Sequence, residues 1–370
     1  MASCEVVAEP DTATTAEQTP QRDRYVDWLR ALSLIVVVLW HWAFTIVDWR
    51  ADGPHATSPL RFTEGFWILT WLFQVMPLFF YIGGFVHLRA WERNTAGSAS
   101  FVGRRVRQLA VPACALLVTW IALGALVTWY FDVEWMGRAV RLVVSPLWFL
   151  AVYLGLIALI PVAVRLHRRF GVLVLVWLAG GAMAVDVLRF TYEIPHIGWL
   201  NMLLVWGLAH QAGFFYDKVR KAGWALLWAG LFGLAGLVAS GLYPASMVGV
   251  PGDRWSNMAP PTFVIVALLM FQAGVAEVLR PATQRLLERP RWAAANELIN
   301  RFALPLFLFH MTGMAISRFL TWLVFDVELD DRTPPDALWW LSRPLAVVGP
   351  LLCTLPVIYV FGRRYVKSRV

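Results

Sequence analysis

Charge is scarce in this chain. Asp, Glu, Lys and Arg make up 15% of its 370 residues, where a soluble domain carries about 25%. Lysine is nearly absent, with Lys218, Lys221 and Lys367 alone, so positive charge is almost entirely arginine. Cysteine is limited to Cys4, Cys114 and Cys353. No CxxC pair and no Cys/His spacing suggests a disulfide framework or a zinc site. The patterns GxxxxGK[ST], HExxH and GxSxG are missing, which argues against an ATP-driven pump, a zinc peptidase and an α/β-hydrolase. No internal repeat is visible, which weakens a transporter built from inverted halves. Residues 1–21 lack an apolar core and so do not read as a cleavable signal peptide. Residues 1–23 are expected to form a disordered cytosolic tail, with the first apolar helix serving as an uncleaved signal anchor.

What is abundant is apolar surface: 59% hydrophobic residues and a mean hydropathy of +0.60. The apolar residues come in runs of roughly 17–25, the length that a bilayer-crossing helix needs. The sequence therefore predicts an all-α, polytopic integral membrane bundle of about ten transmembrane helices. The spans are expected near 28–48, 66–90, 109–131, 146–164, 171–189, 197–215, 224–242, 261–279, 302–325 and 343–362. The net charge of +8 suggests nucleic-acid binding only until its distribution is seen. With the N-terminus inside, 21 basic residues fall in inner segments and 7 in outer ones, the bias expected of membrane topology. No nucleic-acid partner is implied. Both termini are expected in the cytosol, with a membrane domain over 24–364 and a basic tail over 365–370. The outer loop Asp326–Asp336 is acidic. The location expected is the cell (plasma or inner) membrane.

Twenty-one tryptophans, many near span ends, read first as interfacial aromatic belts. Trp148 and Trp199 are the first choices for stacking on a sugar at the outer side. In the seventh span, Ala229/Gly233 and Gly236/Ser240 have the small-xxx-small spacing of close helix packing.

The first span carries the informative pair. Arg30 and His41 are eleven residues apart, about 20° from a whole number of turns, so they share a helix face about 16 Å apart along the axis. Arg30 belongs at the cytosolic interface, and His41 near the bilayer midplane between Trp40 and Trp42. An ionisable residue at that depth is costly and faces the bundle interior as a functional candidate, although a histidine bonded to a neighbouring helix would also satisfy the pattern. His310, roughly 12 Å into span nine by helical rise, lies at comparable depth and reads as a second polar group in the same cavity or as a structural histidine. His87 and His210 fall near cytosolic span ends. Gln74, Asn201 and Gln272 are intramembrane amides that either line the cavity or bond across helices.

Arg30-x10-His41, with Asp27 leading in (Asp27-Trp-Leu-Arg30-Ala), resembles the opening helix of the membrane-bound acyltransferase-3 family, bacterial O-acyltransferases of surface polysaccharides, Nod factors and antibiotics. The stretch Met76-Pro-Leu-Phe-Phe-Tyr-Ile-Gly83-Gly84-Phe85 is similar to that family's second span, with Gly83 where serine is usual. The segment holding Arg104, Arg105 and Arg107 resembles its basic lead-in to span three. Pro146-Leu-Trp148-Phe-Leu resembles its fourth span, and Leu304-Pro-Leu-Phe-Leu-Phe-His310 its late histidine motif. The matches keep their order from Asp27 to His310.

The resemblance implies acyl transfer from acyl-CoA, acetyl-CoA in the first instance, to a hydroxyl of an envelope glycan, glycolipid or lipid precursor. No permanently bound cofactor or metal is implied, and acyl-CoA is a donor substrate. Such chemistry needs a base for the hydroxyl, which neutral histidine provides near pH 7, and cations for the donor's phosphates. His41 and Arg30 are the expected catalytic residues. Arg30, Arg104, Arg105 and Arg107 are expected to bind the donor, and Asp27, Trp148 and His310 to contact substrate. For the last three arginines, membrane topology alone is the competing explanation. A glycolipid transporter or flippase using Arg30 and His41 as an intramembrane polar site is the alternative function.

Overall fold

Asp23 caps the first helix, its carboxylate accepting the backbone N–H groups of Tyr25 and Val26, which a helix start would otherwise leave unpaired. The computed structural model describes residues 23–325, 331 and 334–362. The tail expected over 1–23, except Asp23, most of the acidic loop and the basic tail over 365–370 lie outside the described residues. From the cap the chain runs α1 (Arg24–Phe44), a hairpin of β1 (Ile46–Arg50) and β2 (Gly53–Thr57), α2 (Leu69–Phe73), α3 (Met76–Glu92) and α4 (Ser98–Phe131). There follow α5 (Met136–Val144), α6 (Leu147–Ala158), α7 (Ile160–Phe170), α8 (Leu173–Phe190), α9 (Asn201–Ala212) and α10 (Tyr216–Val219). The last are α11 (Gly223–Ala239), α12 (Val264–Glu288), α13 (Pro290–Phe325), α14 (Ala337–Leu341) and α15 (Arg343–Val357).

The expected all-α membrane bundle is what forms. Among the described residues, eight helical stretches are long and apolar enough to cross a membrane, and the bent pair α5–α6 adds a ninth. One of the eight, Ile197–Ala239, reverses within itself. Phe80 and His87 of α3 meet Trp206 and His210 of α9 in that order, so these two helices are parallel. Gly223, Leu227 and Gly230 of α11 meet Glu277, Gly274 and Phe271 of α12, an antiparallel register. With the start of α1 taken as the inner side, as the arginine bias predicts, Gln272 of α12 reaches the start of α3 at the outer side, while Ala276 receives the Tyr25 hydroxyl at the inner start of α1. Hence α3, α9 and α12 descend together and α11 ascends. Reporter fusions should therefore read cytosol after Arg169 and outside near Asp253 and Asp331; a cytosolic signal at Asp331 would overturn this path.

Helix α3 is the central post, with Met76 to Gly84 buried without a gap. Around it α4, α8, α11 and the outer part of α13 expose Val118, Trp129, Val176, Phe232 and Phe325. In water that surface would be a liability; against lipid tails it is the expected face. Closest approach occurs where side chains vanish. A Cβ on Gly84 would stand 1.8 Å from the His210 carbonyl oxygen, and one on Gly213 2.0 Å from that of Tyr81. In α11 the close contact is Gly230, where a Cβ would meet the Phe271 nitrogen at 2.1 Å. The expected Ala229/Gly233 and Gly236/Ser240 face is used only in part: a Cβ on Gly233 would meet Ala267 of α12 at 3.6 Å, but Ala229 is exposed and Gly236 borders open space. The seam follows Gly223 and Gly230, seven residues apart, as in a two-helix seam of heptad period.

Several boundaries move. α4 and α13 begin about eleven and twelve residues before the expected spans, so Arg104, Arg105 and Arg107 ride on a helix and not in a loop. α1 ends at Phe44 rather than 48, because β-branched Thr45, Ile46 and Val47 turn extended and start the hairpin. Gly53, at φ +109° and with Trp135 against it, is required at the hairpin's turn. Asp331 ties the far outer loop to this hairpin: it exchanges hydrogen bonds with Val47 and accepts one from Arg318 at 2.5 Å.

Candidate active site

His41 stands one turn from the end of α1, which stops at Phe44 and not at 48. Across from it α13 brings His310. His41 Nδ1 and His310 Nε2 are 2.8 Å apart, and His310 Nδ1 lies 2.6 Å from the Phe307 carbonyl oxygen. A carbonyl only accepts, so His310 carries its proton on Nδ1. With both rings neutral, His310 Nε2 is then an acceptor and His41 Nδ1–H the donor. His41 Nε2 is left with a lone pair. The rings are within 7° of parallel, and the Trp42 indole donates to the His310 carbonyl oxygen at 2.9 Å, fixing α1 against α13.

That lone pair belongs to a residue lining a cavity of about 330 Å³. Its walls include Trp40, His41, Thr57, Ser58, Gln74 and Trp148. The Thr57 and Ser58 hydroxyls are buried and have no hydrogen-bond partner among the described residues, a costly state unless a ligand or water pairs them. Trp148 lines the same cavity as His41. Trp199 does not; it lies on a separate outer pocket with Trp255 and Arg189. His310 stands behind His41, 1% exposed, and is absent from the cavity wall, so it meets His41 rather than the cavity where a substrate contact was expected.

The amides divide. Gln74 lines the cavity and its carbonyl accepts the Met76 N–H at the break between α2 and α3. Gln272 donates to the Trp71 and Gln74 carbonyl oxygens that this break releases. Asn201 donates to buried Asp186, whose carboxylate also accepts from Tyr243 and from the Phe263 N–H; this is a structural pin between α8, α9 and α12.

Arg30 lies toward the inner end of α1, half-buried, with Asp27 at 3.9 Å. Asp27 is therefore with Arg30 and far along the helix from Trp148 and His310. Of the three arginines on α4, Arg105 is half-buried with its guanidinium 4.5 Å from the Phe101 ring centre, while Arg104 and Arg107 are exposed. Arg30 and Arg105 both act electrostatically on Tyr153 and His87. There the structure assembles a cluster that the sequence did not disclose. His87 Nδ1 is 2.9 Å from His210 Nε2, and the Tyr153 hydroxyl 3.3 Å from His87 Nε2. Gly83 makes room for it: a Cβ there would stand 2.9 Å from the Tyr153 ring and 3.1 Å from its hydroxyl. Tyr153 thus fills the space that a side chain at position 83 would need.

The site thus has two ends, a basic inner one at Arg30 and Arg105 and an outer cavity lined by His41, which is hydrogen-bonded to His310. A family model described as an acyltransferase domain, of the acyltransferase-3 type, matches residues 23–363. No curated protein and no solved structure matches the chain.

Proposed function

The chain belongs to the acyltransferase-3 family and is a membrane acyltransferase; we propose that it moves an acyl group, acetyl in the simplest case, from acyl-CoA to a hydroxyl of a glycan, glycolipid or lipid precursor of the cell envelope. The observation that carries this reading is the Phe307–His310–His41 chain, which leaves His41 Nε2 free to accept a proton beside the outer cavity.

In the proposed reaction His41 Nε2 takes the acceptor's hydroxyl proton as its oxygen attacks the thioester carbonyl. The C–S bond then breaks, and the thiolate leaves with the proton returned by the His41 imidazolium. His310 holds His41 in the right tautomer and, by accepting from Nδ1–H, steadies the cation that forms. Trp148 and the unpaired Thr57 and Ser58 hydroxyls suit a polyhydroxylated acceptor, the indole covering an apolar sugar face.

Arg30 and Arg105, turned inward, are assigned the donor's diphosphate, with the acyl arm directed along α1 toward His41. The rise from Arg30 to His41 is about 16 Å, a distance suited to an extended pantetheine arm. Arg30→Ala should weaken acyl-CoA binding by about tenfold or more, since charge-assisted phosphate contacts contribute roughly 1.5–3 kcal/mol each. Arg30→Gln should do little better, and unchanged affinity in both would remove Arg30 from the donor site. The function itself is tested by mass spectrometry of envelope glycolipids and glycans from a deletion strain. One acyl-group mass should disappear from a defined species and return on complementation; an unaltered profile would count against the proposal.

A further inference from the structure

A second cavity, of about 380 Å³, opens among the inner ends of α3, α4 and α7, lined by Trp91, Ser98, Pro161, Arg165, Arg168 and Arg169. Arg165, Arg168 and Arg169 follow the i, i+3, i+4 spacing that places three side chains on one helix face. Arg169 leans over the Phe170 ring at 5.1 Å, which leaves Arg165 and Arg168 foremost. No carboxylate lines the cavity, and none of the three arginines forms an ion pair among the described residues. Of the nearby acids, Asp217 is taken by Arg89 at 3.0 Å, and Glu92 acts on His167. The inside-positive rule accounts for arginines at this end of α7. It does not account for their convergence on one cavity with an indole as a wall.

The cavity also adjoins the inner end of the proposed donor path. Trp91 packs edge-on against Phe101 with ring centres 5.2 Å apart, and the Arg105 guanidinium lies 4.5 Å from that same Phe101 ring. We propose that this cavity binds the 3′-phosphoadenosine end of the acyl donor, with the purine against Trp91 and the phosphomonoester held by Arg165 and Arg168. The inference rests on the reading of acyl-CoA as donor, and it separates the nucleotide's site from the diphosphate's at Arg30 and Arg105. Planar guanidinium forks suit a terminal phosphate, which accepts two parallel N–H bonds. An anionic lipid headgroup offers the same phosphate chemistry, but it gives the indole nothing to stack on.

The test uses the purified full-length protein and adenosine 3′,5′-bisphosphate as the probe, with titration calorimetry in nanodiscs of phosphatidylcholine with and without phosphatidylglycerol. The probe should bind in both lipids, and Arg165→Gln with Arg168→Gln should weaken it tenfold or more. The same double variant should raise KM for acyl-CoA by a similar factor and leave KM for acyl-pantetheine, which lacks the nucleotide, where it was. Arg165→Lys with Arg168→Lys keeps the charge that sets topology and should recover only part of the affinity. Equal probe affinity in wild type and the Gln variant would overturn the site. So would a wild-type protein that turns over acyl-CoA but ignores the probe, or a cavity whose arginines affect only phosphatidylglycerol binding. Probe binding that depends on Arg165 and Arg168, in a protein that transfers no acyl group from any CoA thioester, would instead leave the site standing and refute the acyl-transfer reading.

Discussion

His41→Gln should lower acyl transfer by about 100- to 10,000-fold, the range commonly supplied by a positioned general base, while leaving the protein inserted and folded. Glutamine approximates the size of imidazole and still forms hydrogen bonds, so packing around Trp40 and Trp42 survives. It cannot take up a proton at the cavity. His41→Ala should lose as much, since the helix tolerates alanine. Donor binding should be nearly unchanged in both, because Arg30 lies about 16 Å away along the helix. The measurement is single-turnover acyl transfer beside acyl-CoA affinity on the same preparations. Near-wild-type turnover by His41→Gln would mean that the imidazole only orients its neighbours, and the proton transfer would have to be assigned elsewhere.

The second large effect is expected at His310, which touches no substrate in this account. Its ring fixes the His41 tautomer by accepting the Nδ1–H at 2.8 Å, and it is itself fixed by the Phe307 carbonyl oxygen. His310→Ala removes the acceptor. His41 is then free to place its proton on Nε2, the nitrogen that must be bare to act as a base. Disrupting the analogous orienting group in a serine-protease triad costs about 10⁴ in kcat; a neutral imidazole partner should be worth less, about 100-fold or more. A residue of purely structural importance would lower the active fraction, whereas His310 should lower kcat with KM for the acceptor little changed. His310→Asn, whose amide oxygen can accept in its place, should recover part of the loss if it reaches Nδ1. A kcat unaltered in His310→Ala, with the protein folded, would dissociate the pair.

Much of this site was legible because helical geometry is regular. The eleven-residue step from Arg30 to His41 needs only the 3.6-residue period, and the bundle itself follows from apolar run lengths and the arginine bias. His310 could be suspected from its depth, but its contact with His41 joins residues 269 positions apart and depends on the rotation of α13 against α1, which no local pattern encodes. The same holds for the inner cluster. Tyr153 reads as one more aromatic in an apolar run until Gly83 is seen to leave room for it. Arg104, Arg105 and Arg107 look equivalent in a basic segment; once α4 is known to start at Ser98, only Arg105 turns inward. The hairpin after Phe44 was missed because Ile46 and Val47 extend the apolar run of the first span, and strand and helix are hard to separate in a short apolar stretch.

The most direct measurement is release of CoA and transfer of label from a radiolabelled acyl-CoA in proteoliposomes containing only the purified protein and an envelope glycolipid fraction. The account predicts that label enters a hydroxyl ester of the acceptor with matching CoA release, and that His41→Gln abolishes both. An intact thioester, together with glycolipid that crosses the bilayer whether or not acyl-CoA is present, would contradict it and make the polar pair of the first helix part of a lipid-translocation path.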